Sequence, residues 1–324
     1  MTRIYGTLGP ACAAEETLRE MLSLGMTGMR LNLSHTDLNT AAPQIEALHR
    51  AAAACGVPVD LLIDMQGPEL RVGVLPKPLP LAEGEQVSLA ALRLPEPLQS
   101  RLAPGQELLL DDGKLLLRVV SAAQALVLRG GLLQSRKSAA APGLTVPMPA
   151  LTEHDRANLA AAAGFGVTGV MQPFVRGRED LVQVRAALNT AGGEGIRLFA
   201  KIESREGLAR LDTLLPAADE IVIARGDLGN AMPLWQLPAA QKHIAARCRA
   251  AGKPFMVVTQ MLASMEQKPV PTRAELCDIF NAVLDGAASV MVTGETAAGA
   301  WPAEVIRYLT NTVREAERYQ NGQS

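Results

Sequence analysis

The sequence predicts an α/β protein: a (β/α)8 TIM barrel with a small β-rich lid domain inserted into it. Three observations carry the prediction. Strand-like apolar runs alternate with stretches of helical spacing along most of the 324 residues, giving eight strand–helix units. The rhythm breaks once, over 72–147, where Pro, Gly and short alternating segments take over. Outside that break about 250 residues remain, the size such a barrel needs. A doubly wound open sheet is the weaker reading, because no GxGxxG follows the first strand.

The elements follow in order. A strand is expected over 3–7, then a helix over 15–24 that ends at Gly25. A strand over 28–33 leads to a helix over 43–55 closed by Gly56, and the third strand is 58–64. The inserted segment carries EQVSLAAL, ELLLDDGKLLLRVV and ALVLRGG, and Asp112-Gly113 between two apolar runs is a hairpin signal. The rhythm resumes with a helix over 153–163, capped by Thr152, and a strand over 169–172. Then come helix 179–189, strand 197–202, helix 205–215, strand 220–224, helix 238–251, strand 254–259, helix 272–285, strand 289–293 and helix 302–315. The expected domains are therefore 1–71 with 148–324 for the barrel, and 72–147 for a β-barrel-like lid.

Charge and cysteine usage narrow the class. With 31 Lys+Arg against 33 Asp+Glu, the chain has no basic footprint for nucleic acid and no polybasic membrane patch. Cys12, Cys55, Cys248 and Cys277 are scattered, without metal or disulfide spacing, and read as buried free thiols. The N-terminus runs straight into a strand with no signal peptide, so a cytoplasmic enzyme is expected. The longest apolar stretch, 159–175, is interrupted by glycines, Gln172 and Pro173 and cannot be a membrane span. Trp235 and Trp301 read as helix-packing residues, and His49, His154 and His243 as surface positions on helices.

Barrel active sites lie at the C-terminal ends of the strands, so the polar residues there are the candidates. The second strand ends in Arg30, Asn32, Ser34 and His35; the third in Asp64, followed by Glu69 and Arg71. Lys201 and Glu203 end the fifth, two residues apart and on one face. Arg225-Gly226-Asp227-Leu228-Gly229 follows the sixth, opening a turn or helix start whose free N–H groups suit an anion. Thr259 and Gln260 end the seventh, and Thr293-Gly294-Glu295-Thr296 the eighth. Glu203 and Asp227 are hard oxygen ligands for Mg2+ or Mn2+, while Arg30 and Arg71 are planar forks for phosphate or carboxylate. A lysine beside two acids and two arginines fits stabilisation of phosphoryl or enolate charge.

MRLNLSH, LLIDMQGPELR, AKIES, VIARGDLG, VVTQML, PTRAE and VTGETAAG, in that order, closely resemble the catalytic barrel of the pyruvate kinase family; TLGPAC, QSRKSAAAPG and PALTEHD fit as well. The resemblance runs from Arg3 to about Ala316. It implies Glu203 and Asp227 as ligands of the divalent ion, with Gly226 beside the substrate and Lys201 and Arg30 on the phosphoryl group in transit. Asn32, Ser34, Asp64 and the Met65 carbonyl would hold K+, with Glu69 matching the acidic residue that accompanies K+ dependence. Thr259 would stand beside the methylene carbon of the enolate. In the lid, Asp111 or Asp112 and Arg136 or Lys137 match nucleotide-side positions, joined by His35, and lid closure would keep water from the transfer. The implied substrates are phosphoenolpyruvate and a nucleoside diphosphate.

Several positions depart from the family pattern. Ala298 and Gln66 stand where lysines are common, Met65 where a threonine is, and Pro173 where a serine is. The losses fall mainly on the nucleotide side, and the lid is shortened between Arg71 and Asp111. The chain stops soon after its eighth unit, so no sugar-phosphate regulation is expected, and a homodimer is expected rather than a tetramer. Two alternatives compete with the kinase: a non-catalytic phosphoenolpyruvate-binding sensor, and a metal-dependent lyase or decarboxylase acting on the same enolate.

Overall fold

The computed structural model describes residues 1–322 apart from His35, Asp112 and Thr145. The chain divides into two compact units. One comprises Met1–Gly67, Ala150–Arg225 and the chain from Pro238 on; the other comprises Pro68–Pro149 with Gly226–Leu237. The sequence division gave 226–237 to the barrel, whereas the contacts group this stretch with the inserted segment.

In the first unit eight parallel strands close into a barrel: Arg3–Thr7, Gly28–Asn32, Asp60–Asp64, Gly169–Gln172, Arg197–Ile202, Glu220–Ala224, Phe255–Val258 and Ser289–Met291. They neighbour one another in chain order, and the last pairs with the first through Arg3 and Ser289. Bulky apolar side chains fill the interior, among them Tyr5, Leu62, Met171, Phe199, Val222, Met256 and Met291. Helices follow each strand, ending with the amphipathic Pro302–Gln320. The expected helix over 205–215 is two short ones, Arg205–Ala209 and Leu211–Leu214, which meet at Arg210.

The second unit holds two antiparallel sheets rather than a closed barrel. Five strands run in the order Ala139–Ala140, Glu107–Leu110, Leu115–Val119, Gln124–Arg129 and Gln86–Ser88, while Leu79–Leu81 pairs with Gly131–Leu133. The edge strands Ala139–Ala140 and Gln86–Ser88 pair with one neighbour each, so the five-stranded sheet stays open. Leucines dominate its core, including Leu92, Leu98, Leu108, Leu110 and Leu117. Glu107–Leu110 pairs antiparallel with Leu115–Val119, the strands on either side of the expected hairpin turn.

Two sequence readings are corrected by burial. Trp235, expected to pack against helices, is 81% exposed. Of the four thiols, Cys12 and Cys248 are buried, Cys55 is half-buried and Cys277 is exposed. Among the described residues no helix is long and apolar enough to cross a membrane.

Candidate active site

The C-terminal ends of the second, third and fifth barrel strands converge on one buried charged cluster. Asp64 is its hub. Two N–H groups of Arg30, Nε and Nη2, donate to its Oδ2 at 2.8 and 2.7 Å. Lys201 Nζ donates to Oδ1 and Oδ2 of Asp64 at 3.1 and 3.0 Å, and lies 2.9 Å from Glu203 Oε1. Glu203 Oε2 accepts the N–H of Phe174 at 2.8 Å. Phe174 has φ 49°, a left-handed conformation costly for an aromatic residue, so the carboxylate pins a strained turn beside it. The two-residue spacing of Lys201 and Glu203 puts both on one face of their strand, as the strand period requires.

Electrostatics fix the protonation states. Burial pushes the Lys201 ammonium down, but Asp64 and Glu203 outweigh it and hold the group above its ordinary range. Burial likewise pushes the Asp64 carboxyl up, and Lys201 and then Arg30 overcome this to hold it below the usual carboxylate range. Lys201 is therefore a permanent cation at neutral pH. It can stabilise negative charge but cannot serve as a base.

Beside this cluster, Asn32 and Asp64 are register partners on adjacent strands. Asn32 Oδ1 accepts the Ser34 N–H at 3.1 Å, and the Leu33 N–H donates to the Asp64 carbonyl at 2.9 Å. The Met65 N–H donates to the Met171 carbonyl at 3.1 Å. Gly67 follows with φ 58°, and a Cβ there would lie 2.4 Å from Pro173 Cγ, so only glycine fits. Four oxygen donors of four kinds (amide, hydroxyl and carboxylate side chains and a main-chain carbonyl) thus sit at or just beyond two neighbouring strand ends.

The seventh strand end is strained. Thr259 and Gln260 have φ values of 82° and 56°. Arg225 Nη2 and Nε donate to the Thr259 carbonyl at 2.6 and 3.0 Å, and its Nη1 is 2.6 Å from Asp278 Oδ2. At the eighth strand, Glu295 and Thr296 are committed to the backbone. Glu295 accepts the Thr293 N–H at 2.6 Å and the Leu262 N–H at 3.2 Å, and Thr296 Oγ1 accepts the Thr7 N–H at 2.8 Å.

Within the second unit, Arg71 Nη2 is 2.7 Å from Glu69 Oε2, and Arg71 Nη1 donates to the Arg136 carbonyl at 2.8 Å. Lys137 pairs with Asp111 at 3.0 Å. Asp111 and Arg136 have φ values of 50° and 62°, so both nucleotide-side candidates sit at sharp turns. Gly226 and Asp227 lie in the first turn of helix Arg225–Asn230. His35 and Asp112 lie outside the described residues. Among the described residues no three His, Cys, Asp or Glu side chains gather into a metal cage.

Sequence reasoning placed Arg225 at the sixth strand end without a role, and missed Asp278, His154 and Asp155. A signal for Asp155 was present, since Thr152-x-x-Asp155 is a capping-box spacing, and the structure forms that box. His154 carried no signal. Read as a surface residue, it is half-buried, and its Nε2 lies 3.0 and 3.1 Å from the carbonyls of Leu33 and Thr36.

Comparison with known proteins agrees with this geometry. Residues 1–306 match the family model described as pyruvate kinase, barrel domain. The pyruvate kinase of Geobacillus stearothermophilus is 35% identical over 98% of this chain and 57% of its own length. That of Clostridium acetobutylicum is 34% identical over 99% of this chain and 71% of its own length. The human pyruvate kinase PKLR is 39% identical over 98% of this chain and 60% of its own length. The chain thus spans between 57% and 71% of the length of these relatives. A closed eight-stranded barrel, a charged cluster on its second, third and fifth strand ends, and a family match across 1–306 leave one assignment: this chain belongs to the pyruvate kinase family through its barrel domain.

Proposed function

We propose that the chain transfers the phosphoryl group of phosphoenolpyruvate to a nucleoside diphosphate and releases pyruvate. The observation that carries this reading is Lys201, held as a cation between Asp64 and Glu203, with Arg30 paired to the same Asp64. Phosphoryl transfer is mostly positioning and charge stabilisation, and this cluster supplies fixed positive charge that costs no reorganisation during reaction.

Roles then follow residue by residue. Lys201 and Arg30 hold the oxygens of the phosphoryl group as it moves. Glu203 and Asp227 are the carboxylates that would hold a divalent ion, and Gly226 presents backbone to the substrate. The donor set suits Mg2+ or Mn2+, hard ions that take few protein carboxylates and fill their shell with water and substrate oxygens. When bound, such an ion neutralises charge on the enolate and phosphoryl oxygens. Asn32, Ser34, Asp64 and the Met65 carbonyl form an all-oxygen set that fits K+. Thr259, with its carbonyl clamped by Arg225, orients the proton that reaches the methylene carbon. Arg71 joins Lys201, Arg30 and Thr259 as a catalytic residue, while Asp111, Arg136 and Lys137 serve the nucleotide side, as do His35 and Asp112. Small-molecule substrates and a second copy of the chain are the partners in this reading, the latter checked by light scattering.

A coupled assay for pyruvate release with Mg2+, run with and without K+, tests the proposal. Turnover that requires ADP is the expected result. Bound phosphoenolpyruvate with no ADP-dependent turnover would support the sensor instead, and nucleotide-free release of pyruvate from oxaloacetate would support the decarboxylase.

A further inference from the structure

We propose that the first turn of helix Glu153–Ala161 is a bracket that sets the K+ donors, with His154 and Asp155 as positioning residues. The inference rests on the reading of Asn32, Ser34, Asp64 and the Met65 carbonyl as a monovalent-cation set. Those donors come from two neighbouring strand ends and the loops that leave them. The structure ties both loops to consecutive residues of one helix.

His154 holds the first loop. Its Nε2 lies within 3.1 Å of two carbonyl oxygens, those of Leu33 and Thr36. Carbonyl oxygens only accept, so Nε2 carries the proton and donates to both. Leu33 stands between Asn32 and Ser34, so this bond fixes the peptide joining two of the donors. Asn158, one turn on, extends the hold: its Oδ1 accepts the Leu38 N–H at 2.9 Å, and its Nδ2 donates to the His154 carbonyl at 2.9 Å.

Asp155 holds the second loop. It is fully buried, and its Oδ1 accepts the Gln66 N–H at 2.9 Å while Oδ2 accepts the Gly67 N–H at 3.1 Å. Gln66 directly follows Met65, whose carbonyl is a donor in the set, so Asp155 fixes the peptide that carries it. Thr152 completes the carboxylate shell, donating from N and Oγ1 at 2.9 and 2.8 Å.

A cap alone explains the Thr152 bonds, but it does not explain why both loops end on the same turn. The spacing of oxygen ligands decides which cation fits and how tightly. Residues that orient such ligands typically change affinity by 10–100-fold when removed. In this chain strand register pairs Asn32 with Asp64, and His154 and Asp155, one residue apart, fix the segments that follow, which carry Ser34 and the Met65 carbonyl. Their loss should therefore change the cation requirement before it changes the chemistry.

The test titrates KCl against tetramethylammonium chloride at constant ionic strength, with two readouts. One is the melting temperature of the protein without substrates; the other is the K+ concentration for half-maximal turnover. His154→Phe and Asp155→Asn should need roughly tenfold more K+ in both readouts, with turnover at saturating K+ within about threefold of the parent. His154→Gln keeps an N–H donor and should shift less than His154→Phe. Thr272→Ala, which removes the other Thr capping box, at helix Arg273–Leu284, should lower the melting temperature and leave the K+ dependence alone. If both His154 variants respond to K+ as the parent does, the bracket is overturned, even if Asp155→Asn does not fold. If the parent itself ignores K+, the cation reading of Asn32, Ser34, Asp64 and Met65 fails first, and the bracket with it.

Discussion

The two ends of the barrel carry networks of similar composition and opposite character. At the C-terminal end, Arg30 and Lys201 meet Asp64 and Glu203 through contacts of 2.7–3.1 Å. At the N-terminal end, Arg3 and Arg197 meet Asp60, Glu220, Tyr5 and Ser289. There one ion pair is short, Arg197 Nη2 to Asp60 Oδ2 at 2.8 Å, and the others are longer, with Arg3 at 3.6 and 3.7 Å from Asp60 and Glu220, and Arg197 Nη1 at 3.9 Å from Glu220 Oε2. Neutral donors do much of the work: the Tyr5 hydroxyl donates to Asp60 at 2.6 Å, and the Ser289 hydroxyl donates to Glu220. Glu220 Oε2 and Arg197 Nη1, both buried, have no hydrogen-bond partner among the described residues.

The contrast shows in protonation. At the mouth, opposite charges override burial and hold Asp64 low and Lys201 high. At the base the outcome is split: burial raises the Glu220 carboxyl above its ordinary range and the Tyr5 hydroxyl well above its own, while burial at Asp60 is overcome by Tyr5 and Arg197, which hold it below the usual carboxylate range. One end keeps fixed charges ready for a ligand, while the other is a polar plug that ties strands together. This matches the general division of such barrels into a reactive top and a stabilising bottom.

Substitutions at the two ends should separate activity from stability. Lys201→Met removes the fixed cation and should lower turnover about a thousandfold, with the circular dichroism spectrum of a folded barrel retained. Arg197→Met should do the reverse. It leaves Asp60 without its nearest cation and Glu220 with Arg3 alone, costs about 3 kcal/mol in calorimetry, and leaves turnover at 25 °C near that of the parent. A large activity loss in Arg197→Met would erase the distinction.

A middle-sized effect is expected at Arg225→Met. It frees the Thr259 carbonyl and lets a strained strand end relax, which should lower kcat about tenfold with little change in the KM for phosphoenolpyruvate. Equal changes in both constants would place Arg225 in binding instead.

The smallest effect is at Glu220→Gln. A carboxyl raised by folding binds its proton more readily in the native chain than in the unfolded one. Its stabilising contribution is therefore present at low pH and is lost as pH climbs from about 4.3 through the folded value. Melting curves of parent and variant should diverge over that window, the parent losing stability relative to the variant. Parallel curves would show that Glu220 does not titrate on folding.

The barrel was legible because each strand is a short apolar run punctuated by Gly, Pro or a capping residue, and because its reactive residues end those runs. Lys201 and Glu203 needed only the period of a strand to be placed together. The long-range ties were not legible. Asp64 meets Lys201 across the barrel interior, and His154 reaches two carbonyls over a hundred residues away in sequence. No periodicity encodes such partners. Side-chain bonds to backbone carbonyls, as at Arg225 and His154, leave no pattern in residue type at all. The base network was hidden for another reason: Arg3, Asp60, Arg197 and Glu220 begin strands, where charges read as ordinary solvated loop ends.

The central claim is that the charged mouth of this barrel moves a phosphoryl group. Phosphorus NMR of phosphoenolpyruvate and ADP with Mg2+ and K+ tests it directly, in the parent and in Lys201→Met. The account predicts that the parent consumes the phosphoenolpyruvate signal as the γ-phosphate signal of ATP appears, and that Lys201→Met leaves both unchanged. Loss of phosphoenolpyruvate to inorganic phosphate without ATP, or equal transfer by both proteins, would contradict it.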